Sequence, residues 1–339
     1  MQFGSDNIAP AHPAIMDAVA RANEGDLPSY GTDQLTKRVQ QRFSEVFERD
    51  VAVFFVPTGT AANALAISHF AGPGSLVLCH RAAHAYIDEC GATEFFSGGA
   101  KMLPLAGESG KLTALAMNDG LGGLSDRMPA RIVTLTQATE CGAVYAVREV
   151  ASLTEAARKR GLKVHMDGAR FANAVAALGV SPADITWRAG VDVMSFGGAK
   201  NGCLGAEAVV FFDAPDADGF DDRRRRAGAV ISKARFVSAQ FSAYLADNLW
   251  LTLAAHANAM AKMLADGLER LPGARLWHRR EANEIFVSLP QETEERLGLA
   301  SHRWITPGDG ANGRMLRFVC SWATTPAEVE AFLEAALRR

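Results

Sequence analysis

Three polar turns, each directly after an apolar run, carry side chains that could do chemistry together. The run VAVFFV (51–56) ends in Pro57-Thr58-Gly59-Thr60 and leads into AANALAISHF. Backbone N–H groups and hydroxyls gathered where a helix starts suit a phosphate, with a dipole contribution of about 0.3–1 kcal/mol when exposed and up to about 2 when partly buried. Taken alone, that turn reads equally well as an N-cap on a tight bend. LKVHM (162–166) ends in Asp167-Gly168-Ala169-Arg170, and a carboxylate leaving an apolar strand needs a cationic partner. A structural pair with Arg170 or a helix cap is the other reading. VDVMSF (191–196) is followed by Gly197-Gly198-Ala199-Lys200-Asn201-Gly202, one of only eight lysines in the chain set among glycines that let backbone and ligand approach closely. Any single lysine is more simply an exposed loop residue.

Lys200 lacks the glycine before it and the serine or threonine after it that a Walker loop requires, and no GxGxxG opens a strand–helix unit. Nucleotide readings therefore lose ground. A phosphate cradle, a carboxylate and an amine, in this order, match what pyridoxal 5'-phosphate (PLP) needs. The lysine forms a Schiff base, the carboxylate keeps the pyridine nitrogen protonated, and the helix start holds the phosphate. The segment His80-Arg81-Ala82-Ala83-His84-Ala85-Tyr86 offers a flat side chain to cover the ring, and His84 is the choice. His80 and His84, four apart, would also suit a metal on a helix, but no HExxH and no cysteine ligand accompanies them, so no metal is expected.

The elements that must position these turns follow from the apolar runs. VAVFFV, LVLC (76–79), RIVTLT (131–136), LKVHMD and VDVMSF alternate with helical stretches such as EVASLTEAARKRG (149–161). Near-continuous Val, Ile and Phe in strands separated by helices predict an α/β architecture, a mostly parallel sheet covered on both faces, with its ligand crevice outside the strands' carboxyl ends. After about residue 240 the pattern changes. A long helix through LADNLWLTLAAHANAMAKMLADGLERL, strands ARLWH, EIFVSL and RMLRFVC, and a final helix PAEVEAFLEAALRR opened by Thr325-Pro326 predict a small α+β domain. The expected division is 1–240 for the large domain and 241–339 for the small one. The run DDRRRR (221–226) reads as a solvated loop with local ion pairs.

At 48% hydrophobic and 22% charged the chain is not disordered, and its 339 residues allow two domains. Thirty-five basic against 38 acidic residues leave a net charge of -3, so no positive field is available for nucleic acid or an anionic membrane. Five scattered cysteines without a CxxC pair, and an N-terminus without a basic start and apolar run, point to the cytoplasm. Residues 51–79 carry no charge, but Pro57, Gly59, Gly72, Pro73 and Gly74 break them up, which argues against a membrane span.

The segments GSDN (4–7), PSYGTD (28–33), PTGTAAN (57–63), AAHAY (82–86), HMDGAR (165–170) and SFGGAKNG (195–202) resemble the low-specificity L-threonine aldolases, in order and through nearly the whole chain. That family consists of PLP enzymes of the aspartate-aminotransferase fold, type I. The resemblance makes Lys200 the cofactor-binding lysine, Asp167 the pyridinium partner and His84 the ring-stacking histidine, with Gly59 and Thr60 on the phosphate. It gives Ser5, Arg170 and Arg317 the substrate carboxylate, a task for which the planar guanidinium fork is suited. It also sets Arg235 on the phosphate of a neighbouring subunit, which implies a homodimer or homotetramer with sites at the interface.

The sequence departs from the family at one place that matters. Where many members carry ENTHNG, this chain has Gln137-Ala138-Thr139-Glu140-Cys141-Gly142, so Glu140 replaces a histidine near the substrate side chain. Either Glu140, or His84 through a water, is then the candidate base for the substrate hydroxyl. The reaction implied is retro-aldol cleavage of a β-hydroxy-α-amino acid to glycine and an aldehyde. Lys200 and Asp167 would serve a β-eliminating lyase or an aminotransferase equally, and those are the rival readings. A non-catalytic PLP-binding regulator would bring an added nucleic-acid-binding segment, and the chain has no spare domain for one.

Overall fold

The computed structural model describes residues 3–123, 127–304 and 315–338. Seven strands form one sheet: β1 (Ala52–Val56), β2 (Leu76–His80), β3 (Lys101–Leu105), β4 (Ala130–Thr136), β5 (Lys163–Gly168), β6 (Val193–Gly197) and β7 (Glu207–Phe211). Their order is β1-β7-β6-β5-β4-β2-β3. β3, β2, β4, β5 and β6 run parallel, while β7 is antiparallel to both β6 and β1. The sheet is thus mixed, with the expected parallel character confined to five strands.

This topology brings the three polar turns to one edge. Asp167 lies opposite Thr136 of β4 and Ser195 of β6. Glu207, the first residue of β7, lies opposite both Gly197 at the end of β6 and Val56 at the end of β1. The turns after β1, β4, β5 and β6 therefore leave the sheet side by side. Glycine is required there for contact rather than conformation: a Cβ on Gly168 would stand 2.5 Å from the Ser195 carbonyl oxygen, and one on Gly197 2.9 Å from Ala169 Cα.

β1 and β2 are joined by the expected crossover but are not neighbours. The connecting helix, Gly59–Phe70, crosses the sheet face over β4 to β7. Beyond its first turn it is enclosed, so residues 62–68 are buried in unbroken succession, the polar Asn63 and Ser68 among them. On the other side, Phe196 of β6 meets Phe43 of helix Gln34–Val46 edge-on at 5.1 Å and Phe241 of helix Arg235–Leu245 at 6.0 Å. That aromatic packing seats the strand whose end carries Lys200.

The C-terminal part holds a second, antiparallel sheet of β8 (Arg275–Leu276), β9 (Glu284–Ser288) and β10 (Leu316–Val319), ordered β10-β9-β8. Leu264, Leu268, Ile285, Val287, Phe318 and Phe332 form its apolar cluster, which also takes in Phe3. The Phe3 carbonyl accepts from Val319 N–H at 2.7 Å, so the chain's start is anchored on this unit before it reaches the large sheet. The helix start expected at Thr325-Pro326 is present, and Glu328 completes a capping box there by accepting from the Thr325 N–H at 2.8 Å.

Several expectations are corrected. The long helix runs only over Leu249–Leu268, because Asp247 and Asn248 adopt left-handed φ of 49° and 56° and break it from the helix before. The strand expected at ARLWH shrinks to Arg275–Leu276, and that expected at RMLRFVC pairs over Leu316–Val319, Arg314 lying outside the described residues. DDRRRR is a helix, Phe220–Arg226, and not a loop. Arg224 and Arg225 pair with Asp221 as anticipated, but Arg223 also donates to Ser68 Oγ and the Phe96 carbonyl, and Arg224 to the Phe55 carbonyl. The run satisfies backbone acceptors at the sheet edge. Among the described residues no helix is long and apolar enough to cross a membrane.

Candidate active site

A cavity of about 340 Å³ opens at the strand ends and is lined by Thr58, Gly59, Thr60, His84, Glu140, Asp167, Arg170 and Lys200, among others. A roomier cleft of about 460 Å³ beside Arg148 and Arg279 contains none of these residues. Helix Gly59–Phe70 begins at Thr58, whose backbone is extended and whose Oγ1 accepts from Ala61 N–H at 3.1 Å. The N–H groups of Gly59 and Thr60 have no earlier carbonyl within the helix to bond. A Cβ on Gly59 would meet nothing within 4 Å, so this corner of the cavity is open.

Lys200 lies in the single turn Ala199–Asn201 just beyond β6. Asn201 holds that turn, donating from Nδ2 to Tyr244 Oη at 2.7 Å and to the Trp250 carbonyl at 2.8 Å. Facing it across the turn is Glu207, buried, with Oε1 3.4 Å from Ala199 N–H. Burial pushes the Glu207 carboxyl up to about 8, against the opposing pull of the Lys200 charge. A sequence-level signal for Glu207 exists: it borders an apolar run as Asp167 does, here at its start, in EAVVF.

Asp167 is 4% exposed and accepts from Ala169 N–H at 3.0 Å and from Asn63 Nδ2 at 2.8 Å. The same Asn63 nitrogen donates to Glu89 Oε1 at 2.8 Å, and Glu89 Oε1 also meets His84 Nδ1 at 2.9 Å. His84 opens the short helix His84–Ile87, with its side chain 40% exposed at the cavity. The hydrogen bond to Glu89 pushes the imidazole up from its ordinary value, against the effect of burial.

Glu140 follows β4 in a loop clamped by Gln137, whose side-chain amide bonds both the N–H and the carbonyl of Tyr145, at 3.0 and 2.9 Å. Its Oε1 accepts from His84 N–H and from Thr136 Oγ1, each at 2.8 Å. Its Oε2 is buried without a hydrogen-bond partner among the described residues. Burial first, and then the nearby Asp167 charge, push this carboxyl up to about 7.

The residues assigned to the substrate carboxylate are less simply placed. Arg170 lines the cavity, but its guanidinium grips Asp6 through Nε at 2.8 Å and Nη2 at 3.0 Å, with Glu284 3.4 Å from Nη1. Burial opposes its charge, and Asp6 and Glu284 more than offset that, so the guanidinium stays ionised. Breaking a buried pair of this kind typically costs about 3–5 kcal/mol, so Arg170 also ties the N-terminal segment to the site. Ser5 caps the turn Asp6–Ile8 and does not line the cavity. Arg317, on β10, donates to the Gly4 carbonyl at 3.3 Å and lies 3.9 Å above the Trp304 ring, also outside the lining. It is partly buried and not the solvent-facing strand residue its position alone suggests. Arg235 lies away from the chain's own cavity, donating to the Gly25 carbonyl at 2.9 Å and resting on Phe236.

A mixed sheet whose strand ends present a helix N-terminus, a fixed carboxylate and a lysine at one cavity is the architecture of fold-type I PLP enzymes. The beta-eliminating lyase family matches residues 2–292. Low-specificity L-threonine aldolases from a Pseudomonas sp. strain and from Pseudomonas aeruginosa are 43% and 44% identical to the chain. These alignments cover 97% and 95% of this chain, and 94% and 93% of the relatives. The threonine aldolase structure of Leishmania major superposes with a TM-score of 0.91 at 27% identity, over 98% of both chains. A structure of SPT with PLP, 18% identical with a TM-score of 0.70 over 99% of this chain and 86% of its own, shares the fold alone. The chain belongs to the beta-eliminating lyase family and, within it, to the low-specificity L-threonine aldolases, which makes it a carbon–carbon lyase.

Proposed function

We propose that the protein uses PLP to cleave L-threonine, L-allo-threonine and related β-hydroxy-α-amino acids to glycine and an aldehyde. The observation that carries this reading is the convergence of Lys200, Asp167 and the Gly59–Thr60 turn on one cavity with a partnerless carboxylate oxygen, Glu140 Oε2, beside them. The residues fit the cofactor. The open helix start would take the phosphate, Asp167 would hold the proton on the pyridine nitrogen, His84 would cover the ring, and Lys200 would bind the aldehyde carbon. When bound, PLP supplies an electron sink for the Cα–Cβ bond pair.

The chain's own groups do the rest. Arg170, at the cavity wall, is the carboxylate-binding residue, which requires the substrate to share the guanidinium with Asp6 or displace it, while Arg317 and Ser5, given the same task by the resemblance, stand outside the lining. Glu140 Oε2 is the acceptor for the β-hydroxyl proton. His84 is the poorer base, because the hydrogen bond to Glu89 holds the imidazole toward its charged form, which has no lone pair to take a proton. Arg235 would reach the phosphate of a neighbouring subunit in a homodimer or homotetramer, which suits its distance from the cavity of its own chain. A cytoplasmic location and a division at about residue 240 belong to the same reading, the latter supported by the separate apolar cluster of the C-terminal part.

The experiment is a pH profile of L-threonine cleavage, with glycine and acetaldehyde both measured, for wild type and Glu140→Gln. A base must be ionised to act, and the Glu140 carboxyl is pushed up to about 7. Wild-type kcat/KM should therefore rise as pH increases through 7. Glu140→Gln should lose that limb and fall by about 10²–10⁴-fold, the usual worth of general-base assistance. A Gln variant with the wild-type profile would assign the proton to another group.

A further inference from the structure

Asn63 and Glu89 line the same cavity as the residues discussed above, yet neither has a role of its own in the proposed chemistry. Both are buried, Asn63 in the helix that crosses the sheet and Glu89 on the segment after β2. Their bonding is tightly constrained. Asn63 Nδ2 has two hydrogens, and it has two carboxylate oxygens, Glu89 Oε1 and Asp167 Oδ2, each at 2.8 Å. With the amide turned the other way, its oxygen would face two acceptors, so only this orientation satisfies the contact. Glu89 Oε1 takes a second hydrogen from His84 Nδ1 at 2.9 Å, which leaves Nε2 as the free end of the ring.

We propose that Glu89 is a positioning residue that binds the imidazole of His84 and, through Asn63, the carboxylate of Asp167 into one hydrogen-bonded unit spanning the cavity. The inference rests on the PLP reading for what the unit would grip, since Asp167 and His84 are the two groups assigned to the ring. On that reading Asp167 would hold the proton on the ring nitrogen and His84 would cover the ring, with Glu89 setting the spacing between the two side chains. Burial pushes the Glu89 carboxyl up, and the hydrogen bond pushes the His84 imidazole up. The other charged groups around the imidazole are Asp167 from β5, Lys200 from the turn after β6, and Glu140, which accepts the His84 N–H. Asp167 favours the imidazolium and Lys200 disfavours it.

The test reads the imidazole directly. His84 is titrated by NMR in full-length, histidine-labelled protein before and after PLP is supplied, with His84→Asn to assign the resonance. Glu89→Gln keeps the shape of the side chain and removes its charge. It should move the His84 titration to lower pH and reduce kcat for L-threonine by about 10- to 10²-fold, the scale of a small misplacement of reacting groups, while KM changes little. Glu89→Asp, which keeps a carboxylate in the buried site on a shorter arm, should move both quantities part of the way. A His84 titration that stays at its wild-type position in both variants would overturn the proposal, and so would an unchanged kcat in Glu89→Gln. Because the titration is read before PLP is added, a failure of the retro-aldol reading leaves it standing, and a failure of the titration leaves that reading untouched.

Discussion

Replacing Lys200 with alanine should reduce L-threonine turnover by more than about 10³-fold, because the covalent role proposed for it cannot be taken over by a neighbouring group. No other lysine lines the cavity among the described residues. The variant should also fail to retain PLP after borohydride reduction, whereas the wild-type chain gains the mass of the reduced cofactor. Its fold should survive. Lys200 is only partly buried and its turn is held by Asn201 through Tyr244 and Trp250, so shortening the side chain leaves no cavity in the core. Far-UV circular dichroism and the melting temperature should therefore match wild type. A Lys200→Ala protein with substantial turnover, or one still fixing PLP on reduction, would contradict the assignment.

The second large effect is expected at Asp167→Asn. A carboxylate within hydrogen-bond reach typically raises the pKa of a cationic partner by about 1–3 units, so removing its charge lowers the protonated fraction of the pyridine nitrogen by about 10- to 10³-fold at a fixed pH. Turnover should fall by the same factor. The loss should shrink as pH is lowered, because solvent then supplies the proton that Asp167 no longer stabilises. The introduced amide has one oxygen for two donors, so it can accept from Ala169 N–H or from Asn63 Nδ2 but not from both, and a modest loss of thermal stability accompanies the kinetic effect. A pH-independent loss would assign Asp167 a purely structural role.

The turns at the heart of the site were legible in the sequence for a local reason. PTGT, DGAR and GGAKNG each follow a mainly apolar run, and a strand buried on both faces most readily places charged groups at its end, whereas polar groups inside it need a partner, as His165 and Ser195 find in each other. Their arrival at one edge required the topology, in which β7 returns antiparallel so that Val56, Glu207 and Gly197 stand in one row. Asn63 carried a signal, a lone amide in an otherwise apolar helix, but its partners on β5 and after β2 are 104 and 26 residues away. Glu89 carried none, being one of two adjacent acids in IDEC with nothing to mark it as buried.

The grip of Arg170 on Asp6 escaped the sequence for the same reason. A reading that assigns the guanidinium to a ligand does not know that the chain's own start returns 164 residues to occupy it. The arginines after Asp221 misled in the opposite sense, since charge density suggests solvent until the Ser68, Phe96 and Phe55 acceptors are in view. The left-handed pair Asp247 and Asn248, which ends the continuity of the expected long helix, is of types that tolerate that conformation, yet a helical apolar pattern runs through them.

The most direct measurement is the product balance from L-threonine with the PLP-supplied wild-type enzyme, quantifying glycine, acetaldehyde, 2-oxobutanoate and ammonia in one reaction. Retro-aldol cleavage breaks Cα–Cβ and yields glycine and acetaldehyde in equal amounts, with the amino group retained on glycine. That is the expected result. Formation of 2-oxobutanoate and ammonia without acetaldehyde would mean that the Cα–H bond breaks and the hydroxyl leaves, and it would contradict the account by making the protein a β-eliminating enzyme on the same fold.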